Sequence, residues 1–316
     1  MTDQFKLSFD IPEFSTKIEY GKNILFLGSC FSDEIAFKAK YHGFKVDSNP
    51  FGTIFHPLAL SRFIKETIAE HVISERIIQR NDLFFSWDAS SSIVGFSRNE
   101  LISNIQKARS DWKEKLLSAT HLFVTFGTSW GYRLTENNLL VSNCHKFPAS
   151  NFTKELSSQS DIVKEWTETI ALLLELNPSL KVIFTVSPVR HIKDGLIENN
   201  RSKAILLDSL RILEKEMNCL YFPSYEIVID ELRDYRFFKT DNVHPNELAI
   251  NYVWQRFSNC YFSNETIAIS KEVLKIRNEE GHKSITPTSE ASVLQLQRLK
   301  EKREQLLKQF PLVVLE

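Results

Sequence analysis

The sequence predicts an α/β fold in which a parallel sheet is covered by helices on both faces. Three observations carry this expectation. Apolar runs recur at 23–27 (NILFL), 121–126 (HLFVTF) and 181–186 (KVIFTV), and short continuous runs of this kind read as strands buried on both sides. Each run stops at a small residue: Gly28, Gly127 or Ser187. Helix-length amphipathic segments separate the runs, and strands alternating with helices imply a parallel sheet.

The elements follow in order. The run at 23–27 is the first strand. Residues 32–40 form a helix, with Ser32 as its N-cap and Asp33 and Glu34 in its first turn, where acidic groups favour the helix dipole. Residues 41–57 are a loop containing Asn49-Pro50-Phe51-Gly52-Thr53. A helix is expected over 58–73, a hairpin over 77–87 turned at Asn81-Asp82, a further short strand at 93–96 and an amphipathic helix over 99–118. After the second buried strand come a hairpin over 132–141, turned at Asn137-Asn138, and one long helix over 153–176, stopped by Asn177-Pro178. The third buried strand leads to a helix over 200–217, a short fourth strand at 220–222, a helix over 225–232 and a core helix over 246–260.

Beyond residue 265 the composition changes. Residues 271–283 are charged, 284–289 are a polar linker with Pro287, and 290–309 form a helix rich in Glu, Lys, Arg and Gln. Leu294, Leu296, Leu299, Leu306 and Leu307 give that helix only a rough apolar stripe. The expected organisation is an α/β domain over 1–264 and a helical C-terminal extension over 265–316. The last helix packs on its own domain or pairs with a second copy to make a homodimer.

Composition narrows the function. Apolar residues make up 42% of the 316 and charged residues 25%, as in ordinary globular proteins. The formal net charge of −1, with both signs interspersed, lacks the basic surface that a nucleic-acid or anionic-membrane binder requires. No apolar run nears the roughly 18 residues that span a bilayer, and residues 1–14 lack the apolar stretch of a signal peptide. The four cysteines, Cys30, Cys144, Cys219 and Cys260, are widely spaced with no C-x-x-C pair. A reduced cytoplasmic protein is therefore expected.

In a parallel sheet, chemistry gathers beyond the carboxyl ends of the strands. Gly28-Ser29-Cys30 and Gly127-Thr128-Ser129 fall there, and the 241–245 loop falls nearby. A small nucleophile after a strand-ending Gly sits at a helix N-terminus, whose free N–H groups stabilise a thiolate, an alkoxide or an oxyanion. Cys30 and Ser29 are thus candidate nucleophiles; the bland alternative is that Cys30 is a small buried hydrophobe. In Asp241-Asn242-Val243-His244-Pro245, the carboxylate can hold the imidazole in one tautomer as a general base; the bland alternative is an ordinary turn. Gly52 through its N–H, Ser129 through its hydroxyl, and Asn49 are the oxyanion candidates. Asn143-Cys144-His145-Lys146 and Pro188-Val189-Arg190-His191 line a substrate pocket or solvate a loop. Cys144-His145 has no second cluster with metal-ligand spacing, so no metal site is expected.

These motifs together resemble the GSCFA family. Gly28-Ser29-Cys30-Phe31-Ser32 matches its Gly-Ser-Cys-Phe-Ala signature except at the last residue. Asn49-Pro50-Phe51-Gly52, Gly127-Thr128-Ser129, Asn143-Cys144-His145-Lys146, Ser187-Pro188-Val189-Arg190 and the 241–245 loop follow in the same order as that family's segments. The GSCFA family is similar to the SGNH (GDSL-like) hydrolases. That resemblance implies a three-layer α/β/α sandwich and an acyl-ester hydrolase or acyltransferase, with O-acetylated carbohydrate as a candidate substrate and no cofactor. Four blocks correspond: Gly28-Ser29-Cys30, Gly52, Gly127-Thr128-Ser129, and Asp241 with His244. Cys30 falls where those enzymes have their nucleophilic Ser, Ser29 where they have Asp, and Ser129 where they have the oxyanion Asn. The rival reading is a catalytically silent module of the same fold that binds a small molecule or a partner protein.

Overall fold

The computed structural model of the chain describes residues 6–71, 76–281 and 290–315. Its centre is a five-stranded, all-parallel sheet of order β10-β9-β5-β1-β2. The strands are β1 (Asn23–Gly28), β2 (Val46–Ser48), β5 (Ala119–Phe126), β9 (Lys181–Val186) and β10 (Leu220–Tyr221).

The strand side chains alternate between two cores, as the pleat requires. Leu25, Leu27, Leu122, Val124, Phe126, Val182, Phe184 and Val186 face one core. Helices α2 (Pro57–Ile68), α3 (Arg98–Ser118), α4 (Gln159–Leu176) and α5 (Leu196–Met217) cover it with residues such as Phe63, Trp112, Trp166 and Leu210. Ile24, Phe26, Phe123 and Ile183 face the other, under α1 (Cys30–Tyr41) and α7 (Glu247–Tyr261). That side is aromatic: Phe26 stacks on Phe123 at 4.9 Å, and Phe257 lies 5.0 Å from Phe123. The expected α/β architecture, with helices on both faces, is observed.

Two small antiparallel sheets decorate the ends of the strands. One is the hairpin β3 (Ile77–Arg80) and β4 (Leu83–Ser86), turned at Asn81 with φ +55°. The other has order β7-β6-β8, from β6 (Trp130–Leu134), β7 (Leu140–Val141) and β8 (Phe152–Leu156). Helix α6 (Ser224–Glu226) continues as a π-helical segment, Ile227–Leu232. Helices α8 (Asn264–Gly281) and α9 (Glu290–Gln309) follow. Val273 and Ile276 of α8, Leu306 of α9, and Val313 and Leu315 of the tail are buried in the α1/α7 core. Among the described residues, no helix is long and apolar enough to cross a membrane.

Five expectations are corrected. The helix expected over 153–176 begins only at Gln159, capped by Ser158, because Phe152–Leu156 pairs with β6 instead. The loop expected over 41–57 contains β2, whose three residues find their partner only in β1. The strand expected at 93–96 reduces to a single bridge between Phe84 and Gly95. Helix α1 starts at Cys30, so its N-cap is Ser29 rather than Ser32. The helix expected over 58–73 stops at Ile68, with Ala69 as its cap and Glu70 turning the chain at φ +53°; positions 72–73 and the expected linker at 284–289 lie outside the described residues.

Gly28 is where the sheet places its strictest demand. Its φ is +130°, and an added Cβ would lie 2.2 Å from the Thr125 carbonyl oxygen. Gly28→Ala should therefore cost about 3 kcal/mol or more. The check is urea unfolding against wild type; a loss under about 1 kcal/mol would show that the backbone relaxes freely here.

Candidate functional site

The β1–α1 turn is held from two sides. Ser29 N–H donates to Thr125 O (3.2 Å), and Gly28 N–H donates to Asn49 Oδ1 (2.7 Å). Ser29 is the N-cap of α1 but makes no capping bond with its side chain. Among the described residues its Oγ has no hydrogen-bond partner, and neither do the buried Ser32 Oγ and Asn49 Nδ2. Buried polar groups are nearly always satisfied, so three orphans on one turn and its clamp mark a site with unused hydrogen-bonding capacity.

Ser29 and Cys30 line a cavity of about 390 Å³ at the carboxyl end of the sheet. Phe55, Thr128, Trp130, Tyr132, Ser187 and Val189 contribute to its wall, as do the 190–194 segment, Val243 and His244. Ser29 is only 1% exposed, whereas Cys30 is half-buried. Burial and the nearby Asp33 push the Cys30 thiol above its ordinary value, while the N–H groups of Phe31 and Cys30 itself pull it down.

His244 sits on the same cavity. Its Nδ1 lies 2.7 Å from Asp241 Oδ2, and Asp241 Oδ1 accepts from the N–H groups of Val243 (2.9 Å) and His244 (3.0 Å). These bonds, led by the backbone N–H of His244, draw the Asp241 carboxyl down to about 2. The carboxylate therefore stays charged and fixes the ring through Nδ1, leaving Nε2 for the cavity. Among the described residues, no hydrogen bond joins His244 to Cys30; such bonds are often long until substrate is bound.

The other sequence candidates divide. Arg190 lines the cavity. Gly127 lies just behind it, its N–H bonded to Phe55 O at 2.9 Å. Ser129 does not face the cavity: it is fully buried, and its hydroxyl is spent on Ser202, 3.0 Å away. Gly52 donates its N–H to Asn49 O (2.8 Å) within a tight turn against Ser90, so that group is occupied. Asn49 serves as the clamp on Gly28. His145 is elsewhere: buried between Phe85 and Trp87, with Nε2 2.7 Å from Ser86 O, it ties the β3–β4 hairpin to the 143–146 loop.

Two further residues belong to the site without having been assigned a role of their own from the sequence. His191, read only as part of a polar cluster, lines the cavity with its ring edge-on to Phe55. Burial, then nearby Lys203, lowers it to about 4, so it is neutral at pH 7. Lys203 was missed altogether. It is 1% exposed on α5, and its Nζ donates to Gly127 O and Ser187 O, both at 2.6 Å. It thereby ties together the ends of β5 and β9 beneath the cavity. The signal was present: Lys203 falls in register with Leu206, Leu210 and Leu213 on the buried face of α5, where a lysine needs a reason.

A larger groove of about 780 Å³ lies among α2, α4 and the small sheet. Its Lys65, Arg76 and Arg133 are already ion-paired, and it holds neither Cys30 nor the Asp241–His244 pair. The candidate residues Ser29, Cys30 and His244 gather instead on the smaller cavity.

An α/β protein whose strand-end cysteine shares a cavity with an Asp-His pair is the class this arrangement defines. The GSCFA family model matches residues 23–257, and the chain belongs to that family. No curated protein matches the chain.

Burial pushes Lys203 from 10.5 down to about 7, opposed only by attraction to Cys30. Between those pH values the unfolded chain holds the extra proton, so stability rises with pH there, by at most about 1.4 kcal/mol per unit. Below about pH 7 both states are protonated and this slope ends. In Lys203→Met the slope should disappear, as read from urea unfolding between pH 7.5 and 9.5. An unchanged slope would show that the buried amine does not titrate in that window.

Proposed function

We propose that this protein is an acyl-ester hydrolase or acyltransferase that acts through Cys30, His244 and Asp241. The observation that carries the reading is the 2.7 Å Asp241–His244 pair on the cavity that also receives Cys30 at the N-terminus of α1. Cys30 is favoured over Ser29 because it is the more accessible of the two.

In this mechanism His244 Nε2 takes the Cys30 thiol proton as sulfur bonds to the ester carbonyl carbon. Negative charge moves to the carbonyl oxygen, which the N–H of Cys30, free at the helix start, stabilises. The C–O bond breaks, and the alkoxide leaves with the proton from His244. Water, or a second alcohol, then attacks the thioester with His244 as base, and the thiolate departs. Asp241 holds the ring throughout and stabilises it as imidazolium. The half-buried Trp130 and exposed Tyr132 on the wall suit a sugar ring, consistent with an O-acylated carbohydrate. The strand-turn-helix at Gly28-Ser29-Cys30 and the Asp-x-x-His loop support likeness to the SGNH hydrolases. Ser129 and Gly52 do not supply oxyanion donors in this version of the site, which leaves the β1–α1 turn to do so.

A second reading, a silent module that binds a small molecule, is favoured by the raised Cys30 thiol and the missing His244–Cys30 hydrogen bond. Covalent labelling separates the two. Iodoacetamide and a fluorophosphonate are applied in parallel, each followed by peptide mapping, and iodoacetamide should label Cys30 in wild type about 100-fold faster than in His244→Ala. Labelling of Ser29 by the fluorophosphonate would transfer the nucleophile to the serine. If neither residue outpaces a surface thiol or hydroxyl, the silent module is the better description. Asp241→Asn should also slow Cys30 labelling, by about tenfold or more, with little change in unfolding midpoint, since Asp241 is exposed.

A further inference from the structure

The charge lining the cavity is lopsided. Arg190 and Lys193 both reach it, and neither is within salt-bridge distance of a carboxylate among the described residues. The acid on the same wall, Asp194, is already paired with Lys154, whose ammonium also lies 4.4 Å from the Trp130 ring centroid. Beneath the floor, Lys203 is held by two neutral carbonyls rather than an acid.

Arg190 is also braced. Its guanidinium lies 4.5 Å from the Phe238 ring centroid and 5.7 Å from that of Tyr235. One of its N–H groups reaches Asn242 O at 3.3 Å, in the loop that carries His244. An arginine stacked on aromatic rings loses little further freedom when it binds, and its remaining donors suit a carboxylate or phosphate bidentately. Arg190 thus offers a positioned fork on the wall of the cavity that also receives Cys30, with no carboxylate within salt-bridge distance of it among the described residues, although Asp230 and Asp234 share a neighbouring hollow with it.

We propose that the substrate carries an oxyanion, a carboxylate or phosphate group, and that Arg190 selects it. This rests on the reading of Cys30 as the reacting atom. The anion lies on the 190–194 side, the apolar or ring portion lies against Phe55, Trp130 and Tyr132, and the ester faces Cys30. A cavity of about 390 Å³ accommodates a ligand of that size.

The test reads charge preference at Cys30 without requiring turnover. The anionic 2-sulfonatoethyl and cationic 2-(trimethylammonio)ethyl methanethiosulfonates attack the same thiolate with the same leaving group, so their rate ratio cancels the thiolate fraction. Relative to 2-mercaptoethanol, wild-type Cys30 should favour the anionic reagent by roughly tenfold or more. Arg190→Gln should remove most of that preference, while Arg233→Gln, outside the cavity, should keep it. A wild-type ratio equal to that of 2-mercaptoethanol, or one unchanged by Arg190→Gln, overturns the proposal. Isothermal titration with methyl phosphate and with succinate provides a second reading, which decides the matter if Cys30 reacts with neither reagent. Wild type should bind at least one, and which one identifies the anion; Arg190→Gln should bind it roughly tenfold more weakly. Binding of neither, or equal binding by the variant, also overturns the proposal. Failure of the catalytic reading looks different: Cys30 labelling becomes independent of His244 while the charge preference and anion binding persist.

Discussion

The site depends on how closely β1 approaches β5 at its carboxyl end. With no side chain at position 28, the Thr125 carbonyl comes within 2.2 Å of where a Cβ would stand, and the next residue's N–H bonds to that same oxygen. The strand can then turn at once into α1, so Ser29 becomes the cap and Cys30 the first helical residue. Asn49, itself at φ +38°, supports this turn from β2 by accepting the Gly28 N–H.

Helix α5 performs the matching task on the other side of the cavity. Ser202 accepts the Ser129 N–H at 2.7 Å, and Lys203 gathers the carbonyls of Gly127 and Ser187. Two consecutive polar residues on a buried helix face thus fix the ends of two strands. Burying an ammonium without a carboxylate is costly, and hydrogen bonds to two strand-end carbonyls offset that cost only in part, which is why its proton is weakly held. The cation also contributes to the field in which Cys30 and His191 sit.

The fold was legible where a local signal coincided with tertiary need. The three buried runs became β1, β5 and β9 with nearly their expected bounds, since an apolar run that fits between two helical layers has few other uses. Errors arose where pairing decided the outcome. Residues 152–156 (FTKEL) have no strong strand pattern, and β6 makes them a strand. Val46–Ser48 is too short to announce itself and exists because β1 has an open edge beside it.

The sequence by itself determined the family, the α/β class and the two motifs that matter most. Gly28-Ser29-Cys30 and Asp241-x-x-His244 are local: the turn conformation and the Asp241–His244 bond span only a few residues. Tertiary structure alone decided which other polar residues join them. Ser129, Gly52 and His145 have the right chemistry, but their polar groups are used to hold loops together, and Asn49 commits its Oδ1 to Gly28. Arg190 and His191 reach the cavity because they follow the end of β9, and Lys203 reaches its floor because α5 packs beside the ends of β5 and β9. Which way a side chain points beyond a strand end depends on neighbouring strands and helices that lie tens of residues away in the chain, and no local pattern records that.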